Sequence, residues 1–361
     1  MHVLLTVTNE LNYDQRMIRI CNSLVGAGFE VKLIGVEFKD SQPLQKRNYH
    51  QKRIRMFSKK GFGFYAEYNM KLFFYLLFQK ADILCCIDLD TMLPVYYVSV
   101  IRRKKRVYDA HEYFSQLKEI VTRPFIYRFW HFIERRFVPK FRNGYTVSEG
   151  IREEFKDNYA ANYEVIRNMP LLKPLSGNHL SRRQILYRGS VNEARGFEIL
   201  IPAMKNVDAQ LVVCGEGNFL EKAKHLVAQN GVGEKVIFMG RVLPSELERI
   251  TNESYIGVNL VEAVGKNQIL SLANKFFDYI DHAIPQVTMN FPEYKKVNEQ
   301  FEIGILIDEL TISFVSKALN ELLENEEVYL KLKENCMAAR EVYNWQKEEQ
   351  KLIKFYKRLS D

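Results

Sequence analysis

The chain is short of several things that would assign it a function quickly. It has no N-terminal stretch in which a charged region leads into a long apolar run and a small-residue cleavage site: Met1-His-Val-Leu-Leu-Thr-Val7 breaks off at Asn9-Glu10. Its most apolar windows, Leu72 to Phe78 and Leu93 to Ile101, are far shorter than the roughly 18 residues a membrane-crossing helix needs. The expectation is a cytoplasmic protein that is soluble or peripheral on the inner face of the plasma membrane. The five cysteines (Cys21, Cys85, Cys86, Cys214, Cys336) show no metal-ligand spacing, so reduced core thiols and no metal are expected. There is no Gly-x-Gly-x-x-Gly fingerprint after the first strand, hence no dinucleotide cofactor. No nucleic-acid-binding motif accompanies the positive charge.

What is present is a chain of 361 residues, 47% hydrophobic, long enough for about two domains. Its formal charge of +8 is uneven: residues 1–150 carry +11 and residues 151–361 carry −3. A basic first half fits an anionic partner such as nucleic acid or a phospholipid surface.

The periodicities describe two α/β halves. Residues 2–7 read as a strand, Met17, Ile20, Cys21, Leu24 and Val25 recur at helical spacing up to Gly26-Ala-Gly28, and Val31–Val36 completes a βαβ unit. Further strands are expected at Arg53–Phe57, Ala81–Ile87, Val107-Tyr108, Gly144–Val147 and Tyr163–Ile166, with a helix over Ala66–Gln79. The polar stretch Lys173–Asn178 reads as a linker. A second series follows at Ile185–Tyr187, Gln210–Cys214, Val236–Phe238, Tyr255–Asn259, Gln286–Thr288 and Gly304–Ile307. Helices over Thr311–Leu323 and Glu326–Val342 and an amphipathic one from Tyr343-Asn-Trp345 through Leu352, Phe355 and Leu359 close the chain. Between them, Arg123 to Arg142 interleaves aromatics with basic residues. Phe125, Phe129, Phe132, Arg136 and Lys140 fit an interfacial face, and equally a crossover helix whose aromatics pack on the sheet.

Candidate site residues gather where the strands end. A helix starting at Ala273-Asn274, with Lys275 in its first turn and Asp278 one turn on, suits a phosphate. Asn9, Asp14 and Arg16 lie in the loop after the first strand. There Asp14 serves as a ligand or as the cap of the following helix, and Arg16 as a ligand or a surface charge. Asp88-Leu-Asp90 and Asp109-Ala-His111-Glu112 follow two further strands, the place where open α/β sheets bind ligands.

At these residues the chain resembles the GT-B glycosyltransferases, in particular the retaining enzymes of glycosyltransferase family 4. The family's P-N-K-x-F-E-Y-x-x-x-G-x-P-V segment is matched by Ala273-Asn274-Lys275-Phe276-Phe277-Asp278-Tyr279 with Ile284-Pro285-Gln286-Val287. Its T-N-D-L-x-x-D-x-R opening is matched by Thr8 to Arg16, its N-D-x-D-x-x-x-P by the segment ending Asp88-Leu-Asp90 to Pro94, its D-x-H-E by Asp109 to Glu112, and its T-V-S-E-x-I by Thr146 to Ile151. The phosphate loop G-x-x-x-x-x-x-K-G has Arg195 at the Lys position after Gly189, the G-x-G turn is Gly215-Glu216-Gly217, and F-x-G-x-V-P resembles Phe238 to Pro244 with Arg241 inside it.

The resemblance implies an α/β GT-B architecture of two Rossmann-like, doubly wound parallel-sheet domains facing an interdomain cleft. It implies an acceptor-binding domain over 1–170, a nucleotide-sugar donor domain over 171–342, and a C-terminal helix over 343–361 that packs back on the first domain. It implies metal-independent hexosyl transfer from a nucleotide-diphosphate sugar, a co-substrate and not a cofactor, to a hydroxyl of a glycan or lipid-linked acceptor, with retention, in polysaccharide, lipopolysaccharide or glycolipid biosynthesis. The expected catalytic residues are His111, Glu112, Asp90 and Glu262. The donor side has Gly189, Arg195, Gly215, Glu216, Arg241, Asn274, Lys275 and Asp278, and the acceptor side Asn9, Asp14 and Arg16. One position departs from the family. Many members carry a Glu eight residues before the ribose carboxylate, and here that residue is Leu270, with Glu262 the candidate substitute. That departure leaves room for a catalytically degenerate nucleotide-sugar binding protein. A nucleotide-sugar epimerase of the same fold would require a denser set of carboxylates and His.

Overall fold

The computed structural model describes residues 1–175 and 183–360. Positions 176–178 of the expected linker therefore lie outside the described residues. The chain divides into two compact units, Met1–Asn168 with Glu348–Asp361, and Met169–Lys347.

In the first unit, seven strands form one sheet: β1 (His2–Thr6), β2 (Glu30–Glu37), β3 (His50–Arg55), β4 (Ile83–Ile87), β5 (Lys105–Ala110), β6 (Asn143–Thr146) and β7 (Glu164–Val165). Their order is β3-β2-β1-β4-β5-β6-β7, and every pairing is parallel. The central strands carry apolar runs, as expected for strands covered on both faces; β4, Ile-Leu-Cys-Cys-Ile, is buried throughout. All five cysteines are buried and unpaired, and burial pushes the Cys85 thiol up to about 12.

Among the boundaries that differ from the sequence expectation are the end of β3 and the start of the helix after it. β3 ends at Arg55 because its ladder with β2 runs from His50 to Arg55, and only Ile54 of this edge strand is buried. The following helix runs Gly61–Leu77, not from Ala66. Gly61-Phe-Gly-Phe-Tyr65 forms its first turn despite two glycines. Phe64, Tyr68, Leu72 and Leu76, four residues apart, form one buried ridge, and this packing outweighs the local cost of glycine.

The chain's last helix, Trp345–Arg358, belongs to the first unit from Glu348 onward. Phe355 meets Tyr145 edge-on at 5.2 Å, Tyr356 meets Phe29 at 6.1 Å, and Glu348 accepts from the Arg167 amide at 2.8 Å.

The second unit carries β8 (Gln184–Arg188), β9 (Gln210–Cys214), β10 (Val236–Gly240), β11 (Ile256–Asn259), β12 (Gln286–Met289) and β13 (Gly304–Ile307), all parallel in the order β10-β9-β8-β11-β12-β13. In both sheets the strand order reverses beside the first strand, between β1 and β4 and between β8 and β11. Crevices for ligands open at such points.

Helix Asn274–Asp281 is clamped to this second sheet through Tyr279. Its hydroxyl donates to the Leu186 carbonyl at 2.9 Å and accepts from the Arg188 amide at 3.3 Å, while its ring lies over Gly257. A Cβ at Gly257 would stand 2.5 Å from that ring. Gly257→Ala is therefore expected to lower the stability of the second unit by about 2 kcal/mol, read by chemical denaturation, and to displace the helix that carries Lys275 and Asp278.

Candidate functional site

In the second unit the loops after β8 and β9 are zipped together by backbone. Gly189 donates to the Cys214 carbonyl at 3.0 Å and Val191 to the Glu216 carbonyl at 2.9 Å. Only glycine fits this seam: Gly215 has φ +155°, and a Cβ there would lie 1.8 Å from the Gly189 carbonyl oxygen. The first loop turns through positive φ at Ala194 and Gly196, which brackets Arg195. The Glu262 amide donates to the Ala194 carbonyl at 3.1 Å, so the loop after β11 is stitched to the residue before Arg195.

Helix Asn274–Asp281 starts beside these loops. Its N-cap, Ala273, has no side chain with which to cap the first turn. The Lys275 ammonium stands 3.5 Å above the centre of the Tyr187 ring, and its stem lies 3.6 Å from where a Cβ on Gly189 would be. Burial and the nearby Arg195 and Arg188 guanidiniums hold the Lys275 pKa well below the ordinary lysine value, and only Asp278 opposes them. Asp278 Oδ2 accepts an ion pair from Arg188 at 3.2 Å. This is a half-buried cluster of three cations on one carboxylate at a helix N-terminus, with the charge and donors to take a dianion. Glu216 reaches toward the β10 turn, its Oε1 lying 3.9 Å from where a Cβ on Gly240 would stand, and the exposed Arg241 follows.

The structure thus brings together Gly189, Arg195, Gly215, Asn274, Lys275, Asp278 and the main chain of Glu262. It adds Arg188, which the sequence reading passed over. The available signal was its position, the last residue of β8, immediately before Gly189. Leu270 ends the short helix Lys266–Leu270, half-buried and apolar.

In the first unit the candidates collect at the carboxyl ends of β1, β4 and β5. Asp14 caps helix Gln15–Gly26: its Oδ1 accepts from the Met17 amide at 3.0 Å and its Oδ2 from Asn9 Nδ2 at 2.8 Å. Arg16 is neither a surface charge nor an exposed ligand. Its guanidinium is buried against Asp109 of β5 at 2.7 Å, an ion pair formed inside the core. His111 follows β5. Burial and the Arg16 and Arg19 guanidiniums push its pKa down to about 3, so the imidazole is neutral at physiological pH.

Asp88 adopts φ +55°, and its Oδ1 accepts from the Glu112 amide at 3.0 Å, which ties the β4 end to the β5 end. Burial and the carboxylates of Glu112 and Asp90 raise the Asp88 pKa well above its usual value. Asp90, at the switch point beside β1, accepts from Thr8 Oγ1 at 2.6 Å, and burial pushes its pKa up to about 7. Among the described residues no group of His, Cys, Asp and Glu is arranged to hold a metal ion.

Residues 173–338 match the family model of glycosyl transferases group 1. No curated protein matches the chain by sequence. Among solved structures, sucrose-phosphate synthase from Thermosynechococcus elongatus superposes with a TM-score of 0.78 at 13% identity, covering 99% of both chains. Anabaena Alr3699/HepE in complex with UDP and glucose gives 0.77 at 11% identity, covering 98% of this chain and 99% of that one. WaaG, a glycosyltransferase involved in lipopolysaccharide biosynthesis, gives 0.74 at 14% identity, covering 98% of each. The chain has the GT-B fold of these glycosyltransferases.

The buried Asp90 carboxyl has a directional consequence. Its folded pKa of about 7 lies above the unfolded 3.8, so the folded state binds the extra proton and stability falls as pH rises between those values. Asp90→Asn is expected to remove that fall. In chemical denaturation its stability relative to wild type should grow with pH over this window, by more than about 1 kcal/mol at pH near 8.

Proposed function

We propose that the protein transfers a sugar from a nucleotide-diphosphate sugar to an acceptor hydroxyl. The observation that carries this reading is the excess of positive charge around Lys275. Three cations share one carboxylate beside an uncapped helix start and a glycine seam, an arrangement that a diphosphate completes. In this reading Arg195, Lys275 and the first amides of helix Asn274–Asp281 hold the diphosphate. Arg195, as a planar guanidinium, grips two of its oxygens. Asp278 uses the oxygen not engaged by Arg188 for the ribose hydroxyls, and Glu216 with Arg241 lies toward the base.

As the bond from the anomeric carbon to the diphosphate breaks, charge grows on the departing phosphate oxygens, and these cations stabilise that charge without a metal. The acceptor hydroxyl forms the new bond to the same carbon and gives up its proton to the departing diphosphate oxygen. His111, neutral and at a strand end, together with Asp90 and Glu112, is read as the catalytic group, with Asn9, Asp14 and Arg16 on the acceptor side. The reaction is read as retaining transfer of a hexosyl unit, with a glycan or lipid-linked acceptor of polysaccharide or lipopolysaccharide synthesis, at the inner face of the plasma membrane. UDP and UDP-glucose, present in the Anabaena complexes, are the natural first probes.

Leu270 supports a second reading, a binding protein of the same fold that holds a nucleotide sugar without turning it over. An apolar side chain stands where the family pattern puts a carboxylate. Release of free nucleoside diphosphate separates the two: turnover on mixing donor and acceptor supports the enzyme, and thermal stabilisation without release supports the binding module.

Thermal-shift measurement over a panel of nucleotide sugars is expected to find one that stabilises the protein. Arg195→Ala should abolish the shift, and Asp278→Ala should weaken binding about tenfold. If neither changes it, the donor site is misplaced. Because the Lys275 pKa is depressed in the empty site and a bound anion raises it again, binding takes up protons wherever the pH lies between the two values. Calorimetric binding enthalpy should therefore vary with the ionisation enthalpy of the buffer, and Lys275→Met should remove that dependence.

A further inference from the structure

The helix Gly61–Leu77 has two apolar ridges. One, Phe64, Tyr68, Leu72 and Leu76, is buried. The other repeats with the same spacing of four: Phe62 is 70% exposed, Met70 59%, Phe74 58%, and Phe78 beyond the last turn 84%. Ala66, also exposed, fills the missing step, and no charged residue interrupts this ridge. Its length is about 24 Å. A lysine stands at each end, Lys60 before the helix and Lys80 after Phe78, both exposed.

The ridge continues onto helix Pro124–Phe137. Phe62 meets Phe129 edge-on at 5.5 Å, and Phe125, Phe129, Phe132 and Arg136 share one stripe of that second helix, with Phe125 85% exposed. Arg128 and Arg135, also exposed, flank the stripe. Lys140 does not join this surface. It is half-buried over the Tyr96 and Phe137 rings. Between the two helices in sequence, helix Met92–Ile101 ends in exposed Val100 and Ile101, followed by the basic run Arg102–Arg106. Tyr97 of that helix reaches Phe137 at 6.0 Å.

These three helices contain only two carboxylates. Glu134 is fully buried and accepts from the Tyr159 hydroxyl at 2.9 Å, and Glu67 accepts from the Phe57 and Ser58 amides and pairs with Lys71 at 2.5 Å. The surface is therefore apolar at its centre and mainly basic at its border, where the exposed Glu119, close enough to Tyr65 to act on its hydroxyl, is the exception.

We propose that this face of the first unit docks on an anionic lipid surface, with Phe62, Met70, Phe74 and Phe78 entering the headgroup–acyl boundary and the Lys and Arg residues reaching back to lipid phosphates. Charge selects the occupant. A second copy of the chain would set one basic border against another, whereas an anionic leaflet complements it along its whole length. Long basic side chains at the ends of an apolar ridge suit a boundary where the stem is dry and the head is wet. The inference gives a location to the lipid-linked acceptor of the reading above, but its geometry belongs to other residues, and it stands or falls without a sugar nucleotide.

The test is flotation of the full chain with phosphatidylcholine vesicles containing about a third phosphatidylglycerol, and with phosphatidylcholine alone. The wild type should float with the anionic vesicles and less as salt is added. Phe74→Glu/Phe78→Glu should lose about tenfold or more in vesicle affinity, with an unchanged melting temperature since both side chains are exposed. Arg128→Glu/Arg135→Glu/Arg136→Glu should lose affinity on anionic vesicles alone. A Phe74→Trp variant should be quenched by lipids brominated near the headgroup end of the chain, which reads insertion directly if the double variant fails to fold. The proposal is overturned if the phenylalanine variant floats as the wild type does, if Phe74→Trp bound to vesicles is not quenched, or if the wild type is a dimer in buffer that Phe74→Glu/Phe78→Glu dissociates. UDP binding retained by both variants would leave the donor-site reading intact whichever result is obtained.

Discussion

The donor-side geometry depends on a single clamp, the packing of the Tyr279 ring on Gly257. It fixes the angle at which helix Asn274–Asp281 leaves the sheet, and with it where Lys275 and Asp278 stand. The Tyr279 hydroxyl bridges the carbonyls of Leu186 and Val258 and the amide of Arg188, so one side chain ties β8, β11 and the helix together. Arg188 is thereby held at the strand end where its guanidinium meets Asp278. A cation cluster would fly apart on a flexible loop. On two strands and one helix locked through a tyrosine, the repulsion is instead stored as the depressed basicity of Lys275, ready to be relieved by an anion.

The first unit applies the opposite arrangement. Asp88, Asp90, Asp109 and Glu112 crowd the carboxyl ends of β4 and β5, and the innermost of them, Asp109, is paired with a buried cation, Arg16. Removing one partner of such a pair strands a charge in the core, at a cost of about 3–5 kcal/mol. The same guanidinium lowers the basicity of His111. Arg16 thus acts on the site through other residues, as a positioning group that adds to the effect of burial on His111 and opposes the burial that raises the Asp109 pKa. The carboxyls left without a cation, Asp88 and Asp90, are pushed toward the protonated form, which makes proton transfer at that strand end responsive to small changes in surroundings.

The sequence made the alternation of strands and helices legible because parallel strands covered on both faces are continuous apolar runs; β9, β12 and β13 begin where those runs begin. The start of the helix at Asn274 was legible for a local reason, the change from the Leu272-Ala273 entry to a run with Phe276, Phe277 and Ile280 buried at helical spacing. Two things were not legible. Arg188 ends an ordinary strand, and its role depends on Asp278, 90 positions away in the chain. Arg16 reads as a solvated charge in a polar loop, and only the register that places Asp109 in the core turns it inward.

The ridge on helix Gly61–Leu77 escaped the sequence for a related reason. Hydrophobic periodicity finds a helix face by contrast between apolar and polar positions, and this helix is apolar at both its buried and its exposed steps of four. A helix without contrast reads as fully buried, and the sheet topology permits that for one side only. Helices laid on a parallel sheet cover it with one face, and the opposite face must meet water or something else. Exposing four large apolar side chains in line costs solvation that a polar residue at any one of them would avoid. That cost, set beside a border rich in lysine and arginine where the accessible helix carboxylate, Glu67, is taken up by Lys71 and two amides, is the mark of a surface shaped by what it touches and not by the fold beneath it.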